Sequence, residues 1–209
     1  MERRRMVDTQ LKRRGIRDPR VLAAMGDIPR EDFVPIESRV SAYSDAPVNI
    51  GYHQTISQPY MTALMAECLE LNGTERVLEI GAGSGYAAAV LGALAREVVT
   101  VEIVPELAAL ARSNLSRTGR EANIRVIEGD GGLGYPPESP YDAISVAAAA
   151  PEVPAALMEQ LRDPGYLTIP VGTLDDQQLR VIRKHAGRVQ WRIATLCRFV
   201  PLRGGEGWN

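Results

Sequence analysis

Along the chain the apolar positions fall into three regimes: helical spacing first, then short apolar runs alternating with helical stretches, and finally strand-like segments. Met6, Gln10 and Leu11 space a helix from Met6 to Arg14, and Asp18-Pro19 supplies the cap and first-turn residue of a second one reaching Met25. After an irregular stretch, Ser57-Gln58-Pro59 opens a helix whose Met61, Leu64, Met65, Cys68 and Leu69 share one face and whose end is expected near Asn72-Gly73. From Val77 the periods alternate. Val77, Leu78 and Ile80 read as a buried strand, Tyr86 to Leu94 as a helix, Glu97 to Glu102 as a strand, and 105–115 as a helix. Further strands are expected around Ile124 to Ile127, from Tyr141 to Ala150 and from Tyr166 to Gly172, with a helix ending at Leu161. The runs 179–184 and 193–202 look like a terminal antiparallel pair. This alternation predicts an α/β fold: a doubly wound, mostly parallel sheet of seven strands, helices on both faces, and an N-terminal helical extension.

Composition narrows the picture. With 209 residues, 45% of them hydrophobic, the chain can bury one good core but hardly two, so a single domain over residues 1–209 is expected, with residues 1–60 as a helical and loop segment and 61–209 as the core. A net charge of -2 offers no broad electrostatic footprint for nucleic acid. The arginines do crowd the first 20 residues, where Arg3, Arg4, Arg5, Arg13, Arg14, Arg17 and Arg20 read as a solvated helix face. Cys68 and Cys197 have neither disulfide-framework nor zinc spacing and read as core thiols. The basic start is followed by polar residues where a secretory leader needs an apolar run, and no stretch reaches membrane-spanning length, so a cytoplasmic protein without a membrane partner is the expectation.

Candidate chemistry concentrates between residues 51 and 131. In VLEIGAGSGY, Gly81, Gly83 and Gly85 follow an apolar strand on alternate positions, letting the backbone turn tightly beneath a nucleotide-like ligand. A dinucleotide fingerprint would place the third glycine one position later, and Glu79 would repel a pyrophosphate; an acid there suits a ligand with positive charge, such as the ammonium and sulfonium of S-adenosylmethionine. Glu102, about 17 residues after the last glycine, ends the next strand and can accept from ribose hydroxyls or cap the helix that follows. Asp130 ends the third strand beside Gly129 and Gly131, either accepting from an adenine amino group or forming the polar half of a turn. Ligands gather at the carboxyl ends of parallel strands, so Glu79, Glu102 and Asp130 are expected to converge on one crevice. Ahead of the sheet, GYHQTISQPYM places Gln54, Thr55 and Ser57 around Ile56, a poor core sequence and a good ligand loop. Ser57 can contact substrate or act as an N-cap, while His53 and His185 read as structural or exposed.

These motifs together, GYHQTISQPYM, VLEIGAGSGY, VEIVPELA, GDGGLGYPPESPYDAISVAAAAPEVPAALMEQL, IPVG and FVPL, resemble the bacterial protein-L-isoaspartate O-methyltransferase family over nearly the whole chain. TISQPYM is the most specific of them, since many S-adenosylmethionine enzymes share a glycine turn. The resemblance implies the Rossmann-like fold of S-adenosylmethionine-dependent methyltransferases. It implies a transfer of methyl from S-adenosyl-L-methionine to the side-branch carboxylate of L-isoaspartyl residues in aged proteins, whose ester then closes to a succinimide as a repair step. Ser57 matches the active-site serine; Gln54, Thr55 and Ile56 match the loop that closes over cofactor and substrate; Glu79, Gly81, Gly83 and Gly85 match the cofactor turn; Glu102 matches the ribose acid, and Asp130 with Gly131 the adenine end.

The chemistry needs no strong acid or base, because a carboxylate near neutral pH is ionised and a sulfonium is an activated donor. Fixing both in line is worth up to about 7 to 11 kcal/mol, so Ser57 is expected to aim the incoming carboxylate with a neutral hydroxyl. A damaged site can occur in almost any sequence. Peptide is therefore expected to be held by main-chain hydrogen bonds along VAAAAPEVP and near IPVG. Ala147 stands where the family commonly carries threonine, His53 replaces a small residue, and DPGYLTIPVG is slightly short, which leaves a specialised relative acting on a dedicated peptide, or a small-molecule methyltransferase, as the alternative. No Asn-Pro-Pro-Tyr segment follows the fourth strand, as base-methylating enzymes often have, and the expected partner is an isoaspartyl protein met by a monomer.

Overall fold

The computed structural model describes residues 1–208. Helix α1 (Glu2–Met6) passes into a π turn at Val7–Leu11 and a 3-10 turn at Lys12–Arg14, so the expected first helix is present but starts earlier and is wound unevenly, with Met6, Val7 and Leu11 all buried. Helix α2 (Pro19–Asp27) starts as the sequence predicts, the Asp18 carboxylate accepting from the amides of Arg20 and Val21. The stretch that reads as a ligand loop is a small hairpin, β1 (Val48–Gly51) and β2 (Gln54–Ile56), turned by Tyr52 and His53. Helix α3 (Pro59–Cys68) stops four residues short of the expected Asn72, with Glu70 turned into the left-handed region at φ 52°. Its apolar surface is wider than one stripe: Thr62, Ala63 and Ala66 are buried as well, because the helix lies between the N-terminal helices and the sheet.

The sheet contains β3 (Arg76–Ile80), β4 (Glu97–Glu102), β5 (Ile124–Glu128), β6 (Tyr141–Val146), β7 (Leu161–Gly172), β8 (Gln177–His185) and β9 (Arg188–Cys197). Their spatial order is β5-β4-β3-β6-β7-β8-β9, with β3 to β7 mutually parallel and β8 and β9 added antiparallel. Helices α4 (Tyr86–Leu94), α5 (Pro105–Arg117) and α6 (Ala155–Gln160) complete the crossovers. The period of two divides the strands cleanly: Val77, Val98 and Ala143 enter the core shared with α1 to α5, whereas Leu78, Val99 and Ile144 enter the core on the other face, shared with Leu157 of α6.

Several strand boundaries differ from the sequence reading. Strand β6 ends at Val146, four residues early, and Ala149 and Ala150 continue as single bridges to Pro201 and Val171. Strand β7 begins at Leu161, so the polar Arg162-Asp163 is extended backbone within the sheet. The Asp163 carboxylate accepts from the amides of Ala186 and Gly187, fixing the β8–β9 turn and with it a β9 that begins five residues earlier than expected. FVPL leaves the sheet altogether.

The N-terminal arginines are not one solvated face. Arg13 is exposed, but Arg14 lies 3.5 Å over the Tyr60 ring, and Arg20 donates to the carbonyls of Leu71 (2.6 Å) and Leu94 (2.7 Å), closing the C-terminus of α4. Arg20→Met should therefore lower the unfolding free energy by roughly 1–3 kcal/mol, against less than about 0.5 kcal/mol for Arg13→Met. Urea unfolding of both variants checks this, and equal effects would show that the two carbonyl bonds stabilise nothing.

Candidate functional site

A cleft of about 810 Å³, its mouth included, opens at the carboxyl ends of β3 and β4. Its floor is the turn between β3 and α4, where Gly81, Gly83 and Gly85 all adopt positive φ (91°, 52° and 87°), a path that other residues follow only with strain. The Gly81 amide donates to the Val101 carbonyl at 2.8 Å, which ties the turn to β4. Gly81 and Gly83 line the cleft. Gly85 does not: a Cβ there would sit 3.2 Å from the Ala111 carbonyl and 3.3 Å from Leu115, so its bareness lets α4 pack on α5 rather than admitting a ligand.

The three carboxylates do not converge on the crevice as the sequence reading expected. Glu102 lines it, with one oxygen accepting from the Gly83 amide (2.8 Å) and the other from the Val104 amide (3.0 Å) at the start of α5. It braces at once the glycine turn and the residue that precedes α5. Asp130 instead spends its oxygens on the amides of Gly132 and Gly205, both at 2.8 Å, so it forms the turn and anchors the C-terminal segment. Gly131 does reach the cleft, and a Cβ at that position would lie 2.3 Å from Ile80 Cγ2.

Glu79 is fully buried beneath the cleft. Its register neighbours make a transverse row of polar residues, Thr100, Glu79, Ser145 and Thr168, across β4, β3, β6 and β7, all nearly inaccessible. The Thr100 hydroxyl donates to one Glu79 oxygen at 2.5 Å, and the other oxygen has no partner. Burial pushes this carboxyl up to about 8, the Thr100 bond opposing and the Glu102 charge reinforcing the shift. Glu79 faces a small cavity, with about 20 Å³ open to a water centre, that Ser57, Thr62 and Ser145 also line.

Gln54, Thr55, Ile56 and Ser57, on β2 and just after it, also line the cleft. The N-cap of α3 is Gln58, and no side chain caps it, so Ser57 does not play the capping part open to it from sequence. Ser57 is half-buried and lines both cleft and lower cavity, and among the described residues its hydroxyl makes no hydrogen bond. His53 is exposed at the hairpin turn and absent from the lining.

Two features escaped the sequence reading. Val200, Pro201, Leu202 and Arg203 cover one side of the cleft, held by the Leu202 amide to the Ala149 carbonyl (2.7 Å) and the Ala149 amide to the Val200 carbonyl (2.8 Å). A weak signal lies in Pro201 and Gly204-Gly205, residue types that disfavour a strand interior. Ala150 is likewise paired, to Pro170 and Gly172, so the main chain at Ala149 and Ala150 is not free to hold a peptide as expected. Ala147 remains on the lining.

A family profile, Protein-L-isoaspartate(D-aspartate) O-methyltransferase, matches residues 1–207. A Protein-L-isoaspartate O-methyltransferase of Methanoregula boonei is 54% identical over 208 residues, covering 100% of this chain and 95% of that protein. Protein-L-isoaspartate O-methyltransferase 2 of Marinobacter nauticus is 55% identical over 208 residues, covering 99% and 94%. Among solved structures, a protein-L-isoaspartate O-methyltransferase superposes with a TM-score of 0.83 at 32% identity, covering 97% of this chain and 66% of that one. A Plasmodium falciparum protein solved with S-adenosyl-L-homocysteine gives 0.80 at 28% identity, covering 96% and 98%. By sequence over its described length and by fold, the chain belongs to the protein-L-isoaspartate O-methyltransferase family.

Proposed function

We propose that the cleft is the methyl-transfer site of this chain, with Gly81, Gly83, Glu102 and Gly131 on the side that holds S-adenosylmethionine and Ser57 on the side that aims an L-isoaspartyl carboxylate. The observation that carries the reading is Ser57: a hydroxyl with no hydrogen-bond partner among the described residues, lining the same cleft as Glu102. The residues suit the cofactor. Glu102 keeps lone pairs after accepting its two amides, enough to receive ribose hydroxyls, and the bare turn at Gly81 and Gly83 lets an extended ligand lie on the backbone. Bound there, S-adenosylmethionine supplies a methyl group already activated on sulfur.

The protein's share is placement. No proton has to move when an ionised carboxylate takes a methyl, and apart from Arg203 at the rim the described lining carries no basic side chain to blunt that nucleophile. Ser57 can donate one neutral hydrogen bond and orient the attacking oxygen. Gln54, Thr55 and Ile56 close the same wall and keep water out, while residues 200–203 close the other. Glu79 then acts from below. Held protonated near neutral pH by its burial, it adds no second negative charge beneath the attacking carboxylate.

The decisive assay offers one peptide with either L-isoaspartyl or ordinary aspartyl at a single position; methyl should go to the first only, and transfer to both or neither removes the repair reading. Two substitutions separate the halves of the site. Ser57→Ala should cut kcat about 10-fold or more with S-adenosylhomocysteine affinity within about threefold, and Glu102→Ala should weaken S-adenosylhomocysteine about 10- to 100-fold. Titration calorimetry beside initial rates distinguishes them, and a Ser57→Ala protein that loses the cofactor sinks the assignment.

Glu79 gives a pH test of its own. Because its folded pKa lies above the unfolded carboxylate value, the folded chain holds the extra proton between about pH 4.5 and 8, and this group's contribution falls as pH rises through that window. Glu79→Gln, which keeps the neutral shape, should gain stability relative to the parent steadily from pH 5 to pH 8 in melting experiments. A difference flat with pH would show that Glu79 titrates as an ordinary acid.

A further inference from the structure

Among the described residues Arg30 is the largest of the fully buried side chains, at 0% exposure, and forms no salt bridge with any of them. Burying a guanidinium without a carboxylate is unfavourable unless its donors are used, so what Arg30 touches is informative. It stands just after Pro29 in a 3-10 turn, Arg30–Phe33, outside the sheet and outside the cleft lining. Its Nε donates to the Ala42 carbonyl at 2.7 Å and its Nη2 to the Ser57 carbonyl at 2.7 Å. The guanidinium carbon lies 4.9 Å from the centre of the Tyr86 ring, the first residue of α4 and part of the cleft wall. Nη1 has no partner.

These contacts meet at the junction that matters. Strand β2 ends at Ile56 and α3 begins at Pro59, so the Ser57 carbonyl belongs to neither ladder, while the Gln58 carbonyl is already taken by the amides of Met61 and Thr62. Arg30 supplies the donor the Ser57 carbonyl lacks, and a charge-assisted one, about twice as strong as a neutral hydrogen bond. The same planar group presses on Tyr86, which follows the glycine turn directly, and Phe33 meets the Tyr86 ring edge-on at 5.5 Å. One cation therefore indexes the Ser57 peptide plane against the first residue of the cofactor-side helix.

We propose that Arg30 is a positioning residue for methyl transfer, fixing the direction of the Ser57 hydroxyl through its carbonyl while touching neither substrate nor cofactor. The proposal rests on the assignment of Ser57 above. A lysine cannot replace it, because a single ammonium has no rigid fork to span the Ala42 and Ser57 carbonyls from a place over the Tyr86 ring.

The test is a double-mutant cycle in the full chain with R30M, R30K and S57A, reading kcat on the L-isoaspartyl peptide, its KM, and S-adenosylhomocysteine affinity by calorimetry. R30M should lower kcat about 10- to 100-fold, the scale of a misplaced reacting group, with S-adenosylhomocysteine affinity within about threefold. In the S57A background the same substitution should cost less than about threefold more, because the hydroxyl it directs is gone. R30K retains the buried cation and should show the same cycle, so it carries the test if R30M does not fold. Losses that multiply in the S57A background, cofactor affinity that falls in step with kcat, or an R30K enzyme equal to the parent each overturn the proposal. A parent enzyme that fails to methylate the isoaspartyl peptide would instead overturn the functional reading itself.

Discussion

The rest of the site depends on one carboxylate between two amides: Glu102, accepting from Gly83 and from Val104. A loop with three left-handed residues has little to hold it, since glycine gains no side-chain contacts and loses the most conformational freedom on folding. Charge-assisted bonds to the end of β4 convert that loop into a fixed floor, and the Gly81 amide adds a third tie to the same strand. Because Glu102 is 5% exposed and its Val104 partner immediately precedes α5, it ties floor, strand end and helix start together. A carboxylate doing this structural work has accepting capacity left over, so the bracing role and the proposed ligand role are compatible.

The sheet makes only half of the enclosure. Residues 54–57 and residues 200–203 both line the crevice, so segments before and after the parallel strands share in enclosing it. Both are attached through groups that a reading of the core alone would pass over: Arg30 to the Ser57 carbonyl, Asp130 to the Gly205 amide, and the Ala149 backbone to Val200 and Leu202. Every one of these ties is a polar group joining backbone that no helix or strand ladder satisfies.

Legibility followed the physics of each signal. Strands β3 and β4 and helix α4 were readable nearly to the residue, because a buried parallel strand and a wholly apolar helix leave their period in sequence, and the glycines mark the joint between them. The hairpin was not, since two strands of three or four residues turned by Tyr52 and His53, both at positive φ, lack the Asn-Gly signature of such turns. Ser57, Glu102 and Gly131 lie where motif spacing puts them. Glu79 and Asp130 do not, and for one reason: spacing places a residue at a strand end but not the direction of its side chain. Strand alternation turns Glu79 to the face of α3 and α4, and the Gly132 and Gly205 amides claim Asp130.

The misplaced acids sharpen the electrostatic logic of the site. Three ionised carboxylates around one crevice would repel an incoming carboxylate, and repulsion is strongest where water is excluded. The fold removes that conflict by a different route for each acid. Asp130 is turned to the tail, where two amides neutralise its pull on the cleft. Glu102 has both oxygens answered by N–H dipoles, one of them at a helix start whose positive end opposes its charge. Glu79, sealed among Met65, Ala66, Val90 and Leu91 with a single hydroxyl donor, keeps its proton. What remains on the lining is a neutral hydroxyl at Ser57, and under the proposed function that suits a nucleophile whose own negative charge must reach the donor intact.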